Sequence, residues 1–382
     1  MMKTNNNLGL YIHIPFCMRK CRYCDFSSYA LSDNTIYNAY VKKLIDEIAV
    51  SNELINNSCV VDSIYIGGGT PSLLSPVHIY RIINAIKSNY NVSDDAEITI
   101  EVNPGTISKT SLSSYLGFGI NRLSIGAQSF NDKTLNCLGR IHDADEIMDG
   151  YKAATDVGFT NISLDLMFGH PRQTIEMWKE DLNTAIALNP AHISHYSLQI
   201  EEGTPICDDI QQGTVIQLDD ETDREMYHTA IALLEEAGYS RYEISNSAKP
   251  SYESKHNLKY WSMKEYLGFG LAAHSYINKC RISNTESLMD YLNAQDISGL
   301  RNSYHENNLY EEMSEYVFLG LRKSEGIDLL DFYDKYHSDF WKVYGQKTKD
   351  LIGKGLLENK GTNLRLTELG FDLANTVFCE YV

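Results

Sequence analysis

The chain reads YIHIPFCMRKCRYCDF over residues 11–26, and the three cysteines in this stretch are Cys17, Cys21 and Cys24. Their spacing is C-x3-C-x2-C, and the apolar run Leu8–Ile14 before them predicts a β-strand. Loops at the carboxyl ends of strands build the active sites of barrel-like folds, so this position suits chemistry. The stretch therefore predicts a reactive centre on the loop after the first strand.

Three thiolates in one loop form a metal-binding set. They can hold three irons of a [4Fe–4S] cluster and leave the fourth iron open, as a catalytic centre needs. Zinc is the alternative, because His13 precedes the motif and could supply a fourth ligand. The spacing and the position after a strand favour the cluster. We interpret the remaining cysteines as small buried hydrophobic residues: Cys59, Cys137, Cys207, Cys280 and Cys379.

The composition is that of a globular protein with an acidic balance. Of 382 residues, 43% are hydrophobic and 22% are charged, and the formal net charge is -18. This balance argues against a general binder of nucleic acids or anionic membranes, because both need a basic face. No apolar run approaches the ~18–20 residues of a membrane span. Met1–Leu8 lacks a signal-peptide core, so we expect a cytoplasmic protein.

The first two thirds of the chain alternate predicted strands with predicted helices. The strands are predicted at Leu8–Ile14, Ser63–Ile66, Glu97–Val102, Arg122–Gly126, Ile162–Phe168 and His192–Leu198. The helices are predicted at Tyr37–Leu54, Pro76–Ser88, Lys109–Leu116, Ala144–Val157, Ile175–Leu188 and Glu221–Ala237. Such alternation implies parallel strands with right-handed crossovers. Because six units are too few to close an eight-stranded barrel, we expect an α/β fold, an open partial (β/α)6 barrel.

Beyond about Asp290 the pattern changes to helices followed by a small hairpin. The predicted elements are helices at Met313–Arg322 and Leu329–Trp341 and a hairpin over 358–366. Helices with a terminal β-hairpin resemble a winged-helix module, here with a packing role because the chain is acidic. We therefore predict a partial barrel over 1–290, which includes a segment of interest near 250–280, and a C-terminal helical, winged-helix-like domain over 291–382.

The cysteine motif, with an aromatic residue before its last cysteine, resembles that of the radical S-adenosylmethionine (SAM) superfamily. The resemblance implies a [4Fe–4S] cluster whose open iron binds SAM, and electron transfer that cleaves SAM to a 5′-deoxyadenosyl radical. The second predicted strand ends in Gly67-Gly-Gly-Thr-Pro71, where the superfamily keeps a glycine motif that contacts the methionine amino group. The resemblance thus implies SAM contacts at Gly68, Gly69 and Thr70; taken alone, the run is a tight turn.

Most of the chain, from Leu10 into the C-terminal region, resembles the oxygen-independent coproporphyrinogen III oxidase family. Further matching segments are His195-Tyr-Ser-Leu198, Glu202-Gly-Thr-Pro205, Tyr242-Glu-Ile-Ser-Asn246 and Gly268-Phe-Gly270. The resemblance implies SAM contacts at Tyr11, Tyr23, Glu101, Gln128, Arg140 and Asp165. From the residues alone, Glu101 and Asp165 could be solvated strand ends, and Arg140 could be a helix-terminal charge.

Two features favour a heme-chaperone branch of this family over the oxidase branch. Phe26 stands where the oxidase has a further cysteine. Only ten residues precede Tyr11, where the oxidase carries a longer N-terminal segment over its active site. The apparatus that binds the oxidase's substrate is therefore expected to be incomplete here.

A third feature is the segment His256-Asn-Leu-Lys-Tyr260-Trp261, which matches an H-N-x-x-Y-W motif associated with heme binding in the chaperone branch. Imidazole is a common axial ligand of heme iron, and the two aromatic residues offer flat apolar faces. Lys255 and Lys259 could meet the propionates. Without the resemblance, a histidine beside aromatic residues is more simply a packed structural residue. The resemblance therefore implies a heme site formed or bordered by His256, Tyr260 and Trp261.

The resulting hypothesis is a cluster- and SAM-dependent heme chaperone that binds heme and passes it to acceptor hemoproteins. Its expected cofactors are a [4Fe–4S] cluster, SAM and heme, with flavodoxin or ferredoxin as the kind of electron donor. An oxygen-independent coproporphyrinogen III oxidase, which decarboxylates propionate side chains to vinyl groups, is the alternative. A zinc-stabilised binding protein without a redox role is a third hypothesis.

Overall fold

The computed structural model describes residues 7–55 and 59–382. The sequence predicts no signal-peptide core in Met1–Leu8. Of this segment, the structure describes Asn7 and Leu8, which begin the first strand. Among the described residues, no helix combines the length and the apolar character needed to cross a bilayer.

The centre of the fold is one large mixed sheet. Its strands are β1 (Asn7–Ile14), β2 (Val60–Gly68), β3 (Val92–Val102), β4 (Arg122–Gln128), β5 (Asn161–Phe168), β6 (His192–Ser197), β7 (Ser240–Glu243), β8 (Asn246–Ala248), β9 (Tyr266–Phe269), β10 (His274–Ile277), β11 (Cys280–Asn284) and β12 (Arg301–Glu306). Within the described ranges, their order is β12-β11-β10-β9-β1-β2-β3-β4-β5-β6-β8-β7. Strands β1 to β6 are mutually parallel and follow chain order. The sheet has two open edges in this part of the chain, so the predicted open α/β partial barrel is confirmed.

Helices connect the strands of the sheet, and the longer ones cover its apolar face. Up to β9 they span Asn34–Ser51, Pro76–Asn89, Lys109–Gly117, Asp132–Leu138, Ala144–Val157, Ile175–Leu188, Pro205–Gln211, Asp220–Glu236 and Lys255–Trp261. The helix Ala144–Val157 shows why these segments start and stop where they do. Asp143 and Glu146 form a reciprocal capping box at its start, and Gly158 ends it with φ 109°.

The sheet extends on both sides beyond the predicted strands. Strand β9 is parallel to β1, and β10, β11 and β12 follow it antiparallel. On the other side, β8 pairs antiparallel with β6, and β7 pairs antiparallel with β8. These strands are short, and β12 is exposed along nearly its whole length, so they lack the alternation that sequence patterns detect. The segment near 250–280 therefore belongs to the sheet and to the helix that packs on it.

The C-terminal region forms a second hydrophobic core, which extends from Met313 to Tyr381. Its helices are Leu309–Gly320, Leu329–Tyr336, Phe340–Gly353, Glu368–Asp372 and Ala374–Cys379, and the strands are β13 (Ile327–Asp328), β14 (Leu357–Lys360) and β15 (Asn363–Leu366). The predicted hairpin is present as β14 and β15. The predicted single helix Leu329–Trp341 is wrong, because His337 takes φ 50° and Asp339 caps a new helix.

The domain boundary predicted at 290/291 stays a prediction. Strand β12, beyond that point, still pairs with β11 of the large sheet. The second core begins only after Asn308 caps the helix Leu309–Gly320. We therefore propose that the boundary is better drawn at about Asn307.

Candidate functional site

Alternation along the parallel strands separates an apolar outer face from a polar inner face. The outer face includes Leu10, Ile12, Ile64 and Ile66, which are fully buried under the helices. The inner-face residues lie in matching register: Gly9, Tyr11 and His13 on β1, Ser63, Tyr65 and Gly67 on β2, Glu97, Thr99 and Glu101 on β3, Ser124 and Gly126 on β4, Asp165 on β5 and Ser194 on β6. The expected SAM residues on the strands thus share one face.

The loop after β1 carries the three cysteines. Phe16–Cys17 pairs in parallel with Tyr29–Ala30, which folds the loop back on itself. The Cys24 backbone N–H donates to the Cys21 carbonyl over 3.2 Å. Burial raises the pKa of the Cys17 and Cys24 thiols, and the mutual proximity of the three sulfurs contributes to the rise. The thiols therefore lie near one another, and each thiolate needs a positive partner.

Arg140 supplies a positive charge at this loop. Its Nη1 lies 3.3 Å from the Cys21 Sγ, and its Nη2 donates to the Gly126 carbonyl over 3.0 Å. The Tyr23 hydroxyl also interacts with the guanidinium and with Cys21, and burial raises the tyrosine's pKa. Arg140 is positioned because Gly139, with φ 77°, ends the preceding helix. The expected Tyr23 and Arg140 contacts are thus brought together beside the cysteines.

The glycine run joins the end of β2 to the cysteine loop. The Gly69 and Thr70 backbone N–H groups donate to the carbonyls of Ile14 and Phe16 over 2.8 and 2.7 Å. The Thr70 hydroxyl lies 3.8 Å from the Cys17 Sγ. A Cβ on Gly69 would lie 2.7 Å from the Phe16 carbonyl oxygen and 3.0 Å from that sulfur. The run is therefore a close backbone contact with the loop, which a plain turn would not require.

Glu101 lies on the inner face behind this turn. Its carboxylate accepts from the Tyr65 hydroxyl over 2.8 Å and from the Gly68 N–H over 2.9 Å. Burial raises its pKa to about 7. Tyr11 stacks on Tyr65 with ring centroids 6.3 Å apart, and its hydroxyl is 3.0 Å from the His13 Nδ1. The expected SAM residues Tyr11, Gly68 and Glu101 are therefore neighbours.

Asp165 is held by serine hydroxyls from three strands. Ser124, Ser163 and Ser194 donate to its carboxylate over 2.7, 3.0 and 2.7 Å. Gln128 follows at the end of β4 with φ 62°, a strained left-handed conformation for a residue with a side chain. The side chain converges with Arg140 at Gly126. A carboxylate fixed by three donors can present its remaining lone pairs to a ligand in one orientation.

These residues fit a cluster with a polar organic ligand. The Gln128 Oε1 and the Arg140 Nε are buried without a hydrogen-bond partner among the described residues, as expected for atoms that face a missing polar group. A set of three thiols in one loop also suits a cluster, because cluster-bound thiolates each bind a different iron.

The H-N-x-x-Y-W motif lies in the helix Lys255–Trp261, which packs against β1 and β2. His256 is 1% exposed, and burial lowers its pKa to about 3. Its Nδ1 lies 3.0 Å from the Ser63 Oγ, and its Nε2 lies 2.9 Å from the Tyr260 hydroxyl. Both ring nitrogens of His256 therefore have hydrogen-bond partners. One of these bonds holds the hydroxyl of Tyr260 in place.

The other members of the motif have separate surroundings. Lys259 is buried and forms an ion pair with Asp62 over 2.5 Å, which differs from the expected propionate contact. Trp261 packs its ring under the Arg322 guanidinium at 4.3 Å, which links it to the C-terminal domain. Tyr260 lines a cavity of about 410 Å³. The resemblance implies a heme site at His256, Tyr260 and Trp261, and of these Tyr260 lines the cavity.

Sequence reasoning missed the supporting residues of the inner face. Tyr65 orients Glu101, and three serines orient Asp165. A usable signal was present, because Tyr65 and Ser124 occupy the same alternating positions on their strands as the residues that were singled out. His274, which also lines the cavity, was missed because its short strand was not predicted.

Comparisons with known proteins agree with this site. Family models match at residues 11–185 for the Radical SAM superfamily and at residues 308–373 for the HemN C-terminal domain. The chain is 37% identical over 373 residues to the heme chaperone HemW of Bacillus subtilis strain 168, which covers 96% of this chain and 97% of that protein. It is 40% identical over 270 residues to HemW of Escherichia coli K12, with 71% and 70% of the two chains covered.

A solved structure shows the same fold. It is the coproporphyrinogen III oxidase HemN of Escherichia coli, a radical SAM enzyme, with a TM-score of 0.87 over 99% of this chain and 90% of that chain. At 24% identity this likeness concerns the fold alone. The radical SAM superfamily implies a [4Fe–4S] cluster and SAM as cofactors. The chain thus belongs to the HemW family within the radical SAM superfamily.

Proposed function

We propose that this chain is a heme chaperone, which binds heme and delivers it to acceptor hemoproteins in the cytoplasm. The observation that carries the proposal is the similarity, over nearly the whole of both chains, to a protein named heme chaperone HemW. Two residues of the chain support it. Phe26 follows the cysteine motif as an aromatic residue that is 62% exposed. Tyr260 of the H-N-x-x-Y-W motif borders the cavity.

In this proposal, Cys17, Cys21 and Cys24 hold the cluster. When bound, the cluster supplies an electron from a donor such as flavodoxin or ferredoxin for reductive chemistry on SAM. Arg140 lies against the Cys21 sulfur, so a positive charge stands beside this proposed cluster ligand. The Gly126 carbonyl already holds the Arg140 guanidinium in place. Binding of the cluster therefore does not have to order this side chain.

The remaining inner-face residues would bind SAM. Gly68, Gly69 and Thr70 offer a backbone cradle beside the cysteine loop. Glu101, once ionised, would pair with the amino group of SAM. Asp165 and Gln128 would accept hydrogen bonds from the rest of the ligand, and Tyr11 would stack on it, because all three lie on the inner side of the sheet. Tyr23, beside Arg140 in the cysteine loop, would border the same ligand.

The test uses the full chain, purified and reconstituted anaerobically. Hemin is added, free hemin is removed by gel filtration, and the loaded protein is mixed with apomyoglobin as the probe acceptor. We expect stoichiometric hemin with a defined Soret band, and transfer to the acceptor that is faster than from hemin alone in buffer. Hemin retention no greater than that of the heat-denatured chain would contradict the proposal.

An anaerobic assay with coproporphyrinogen III, SAM and a reductant addresses the oxidase hypothesis. We expect no product beyond that of the variant in which Cys17, Cys21 and Cys24 are all replaced by alanine. Protoporphyrinogen formed only by the chain with its cysteines intact would assign the oxidase activity and overturn the chaperone proposal.

A further inference from the structure

The cavity of about 410 Å³ lies between the cysteine loop and the extension of the sheet. Its inner lining is aromatic and comes from Tyr11, His13, Tyr260 and Tyr266. Its rim consists of exposed residues from both sides: Asp25, Phe26, His274 and Glu286. A volume in this range suits a small organic ligand. The flat rings suit a flat one, because offset and edge contacts between rings are favourable.

The histidines near this cavity differ in whether their ring nitrogens already have hydrogen-bond partners. The His13 Nδ1 contacts the Tyr11 hydroxyl over 3.0 Å, and its Nε2 lies 3.3 Å from the Ser27 carbonyl. Both nitrogens of His256 are engaged as well. His274 begins strand β10 with an exposed side chain, and no described residue forms a hydrogen bond with its ring. An available imidazole on a cavity wall is what an added metal centre needs.

We infer that His274 is the axial ligand of the iron in a heme bound in this cavity; the inference rests on the proposed function. A neutral ring nitrogen donates its lone pair to ferric iron and displaces a weakly held water, while the other nitrogen keeps its proton. No electron is transferred in this step. The ligand is thus placed on the sheet extension and not on the H-N-x-x-Y-W helix, whose Tyr260 contributes a ring to the lining.

Desolvation fixes the orientation of the heme. Among the described residues, no lysine or arginine lines the cavity, so buried propionates would lack a cationic partner. The propionate edge of the porphyrin therefore stays in solvent, and the apolar edge faces Tyr260 and Tyr266. An exposed propionate edge at an open cavity is accessible to an acceptor protein. Because Asp25 and Phe26 follow Cys24 directly, the state of the cysteine loop shapes one side of this heme site.

The experiment titrates the full chain with hemin and records absorption and electron paramagnetic resonance spectra. The variants are His274→Ala, His256→Ala and, as a matched control, His305→Ala, since His305 is an exposed histidine on strand β12 of the same sheet. For His274→Ala we expect loss of the histidine-ligated spectrum and an affinity at least about tenfold weaker, a loss seen even for residues that only support a metal ligand. Free imidazole should restore the ligated spectrum to this variant, which a misfolded chain would not show.

The outcomes separate the two proposals. No specific hemin binding by the unaltered chain would overturn both. Hemin binding by the unaltered chain with an unchanged spectrum in His274→Ala would overturn the ligand assignment and leave the chaperone function intact. Loss of the ligated spectrum in His256→Ala but not in His274→Ala would return the ligand to the H-N-x-x-Y-W motif. His305→Ala should match the unaltered chain.

Discussion

At the scale of single residues, Gly69 holds the second strand against the cysteine loop. Replacement by alanine would place a Cβ 2.7 Å from a backbone oxygen and 3.0 Å from the Cys17 Sγ. Because the backbone cannot rotate away as a side chain can, Cys17 must move. We expect Gly69→Ala to lose most of its iron and acid-labile sulfide after anaerobic reconstitution.

Gly353→Ala is the matched control for this change. Gly353 ends the helix Phe340–Gly353, and a Cβ there would meet no atom within 4 Å. Its cluster content should equal that of the unaltered chain, and its stability should rise by up to about 1 kcal/mol. Equal cluster content in the two variants would show that the contact at Gly69 is not required.

Glu101 gives SAM binding a pH dependence. Burial raises its pKa to about 7, so the side chain is largely neutral below that pH and cannot pair with the amino group of SAM. We expect SAM affinity, measured by equilibrium dialysis, to rise by severalfold from about pH 6 to about pH 7.5. Glu101→Gln should bind SAM more weakly at the higher pH, and its affinity should vary less over this range.

The same group affects the stability of the ligand-free protein. Its pKa is higher in the folded chain, about 7, than its usual value of 4.5, so the folded state binds the extra proton between these values. This contribution to the free energy of unfolding is fully present below the lower pKa and is lost as the pH rises through about 7. If Glu101→Gln loses stability over this pH window as steeply as the unaltered chain, Glu101 is not the group that titrates.

At the scale of elements, the helix Asn34–Ser51 fixes the two segments that flank the cavity. Its Tyr40 hydroxyl donates to the His13 carbonyl over 2.8 Å, just before the cysteine loop. Its Glu47 is 1% exposed and accepts from the Gly270 N–H, the Asn284 amide and the Tyr291 hydroxyl. One helix thus ties β1 to the turn that leads into β10.

Removal of the Glu47 carboxylate should therefore weaken the fold. Glu47→Ala leaves three buried donors without an acceptor, and we expect the free energy of unfolding to fall by about 3 kcal/mol in urea titrations. Glu53→Ala, at an exposed glutamate just beyond the same helix, should stay within about 0.5 kcal/mol. Similar losses in both variants would mean that the buried network is not the cause.

At the scale of the whole molecule, Trp261 joins the partial barrel to the C-terminal domain. The Arg322 guanidinium lies 4.3 Å from its ring centroid. Nearby, the Ser324 N–H donates to the Tyr242 carbonyl over 2.9 Å, and Arg241 stacks on Phe371 at 3.9 Å. The H-N-x-x-Y-W motif therefore ends in a contact between the two cores, which links the cavity side chain Tyr260 to the C-terminal domain.

Trp261→Ala tests this contact. Loss of a large ring and of its cation–π partner should lower the stability by about 2–4 kcal/mol, measured by urea unfolding, and should increase proteolysis between the domains. Trp341→Ala is the control, because that tryptophan is 37% exposed within the C-terminal domain. We expect a smaller loss there, and the same loss in both variants would contradict a special role for the interface.

Local spacing in the sequence was enough for the cysteine loop, the glycine run and the six strand–helix units. Each of these depends on neighbours within a few residues: C-x3-C-x2-C, Gly67–Gly69, or a period of two or 3.6. Glu101 and Asp165 were expected at the site because of the family resemblance, and the strand register then places both on one face. Caps such as Asp339, by contrast, were overlooked within an apolar helical pattern, so one predicted helix proved to be two.

Only the tertiary structure decided which side chains are free to act. His256 finds its partner Ser63 across 193 residues of chain, and Lys259 finds Asp62, so both are already engaged. His274 comes to the cavity because short, poorly patterned strands extend the sheet beside β1. A sequence pattern gives the face on which a residue lies, whereas its partner depends on packing between distant segments. The sequence by itself therefore determined the position of the cysteine loop and the fold class, and tertiary contacts determined which histidine has no hydrogen-bond partner among the described residues.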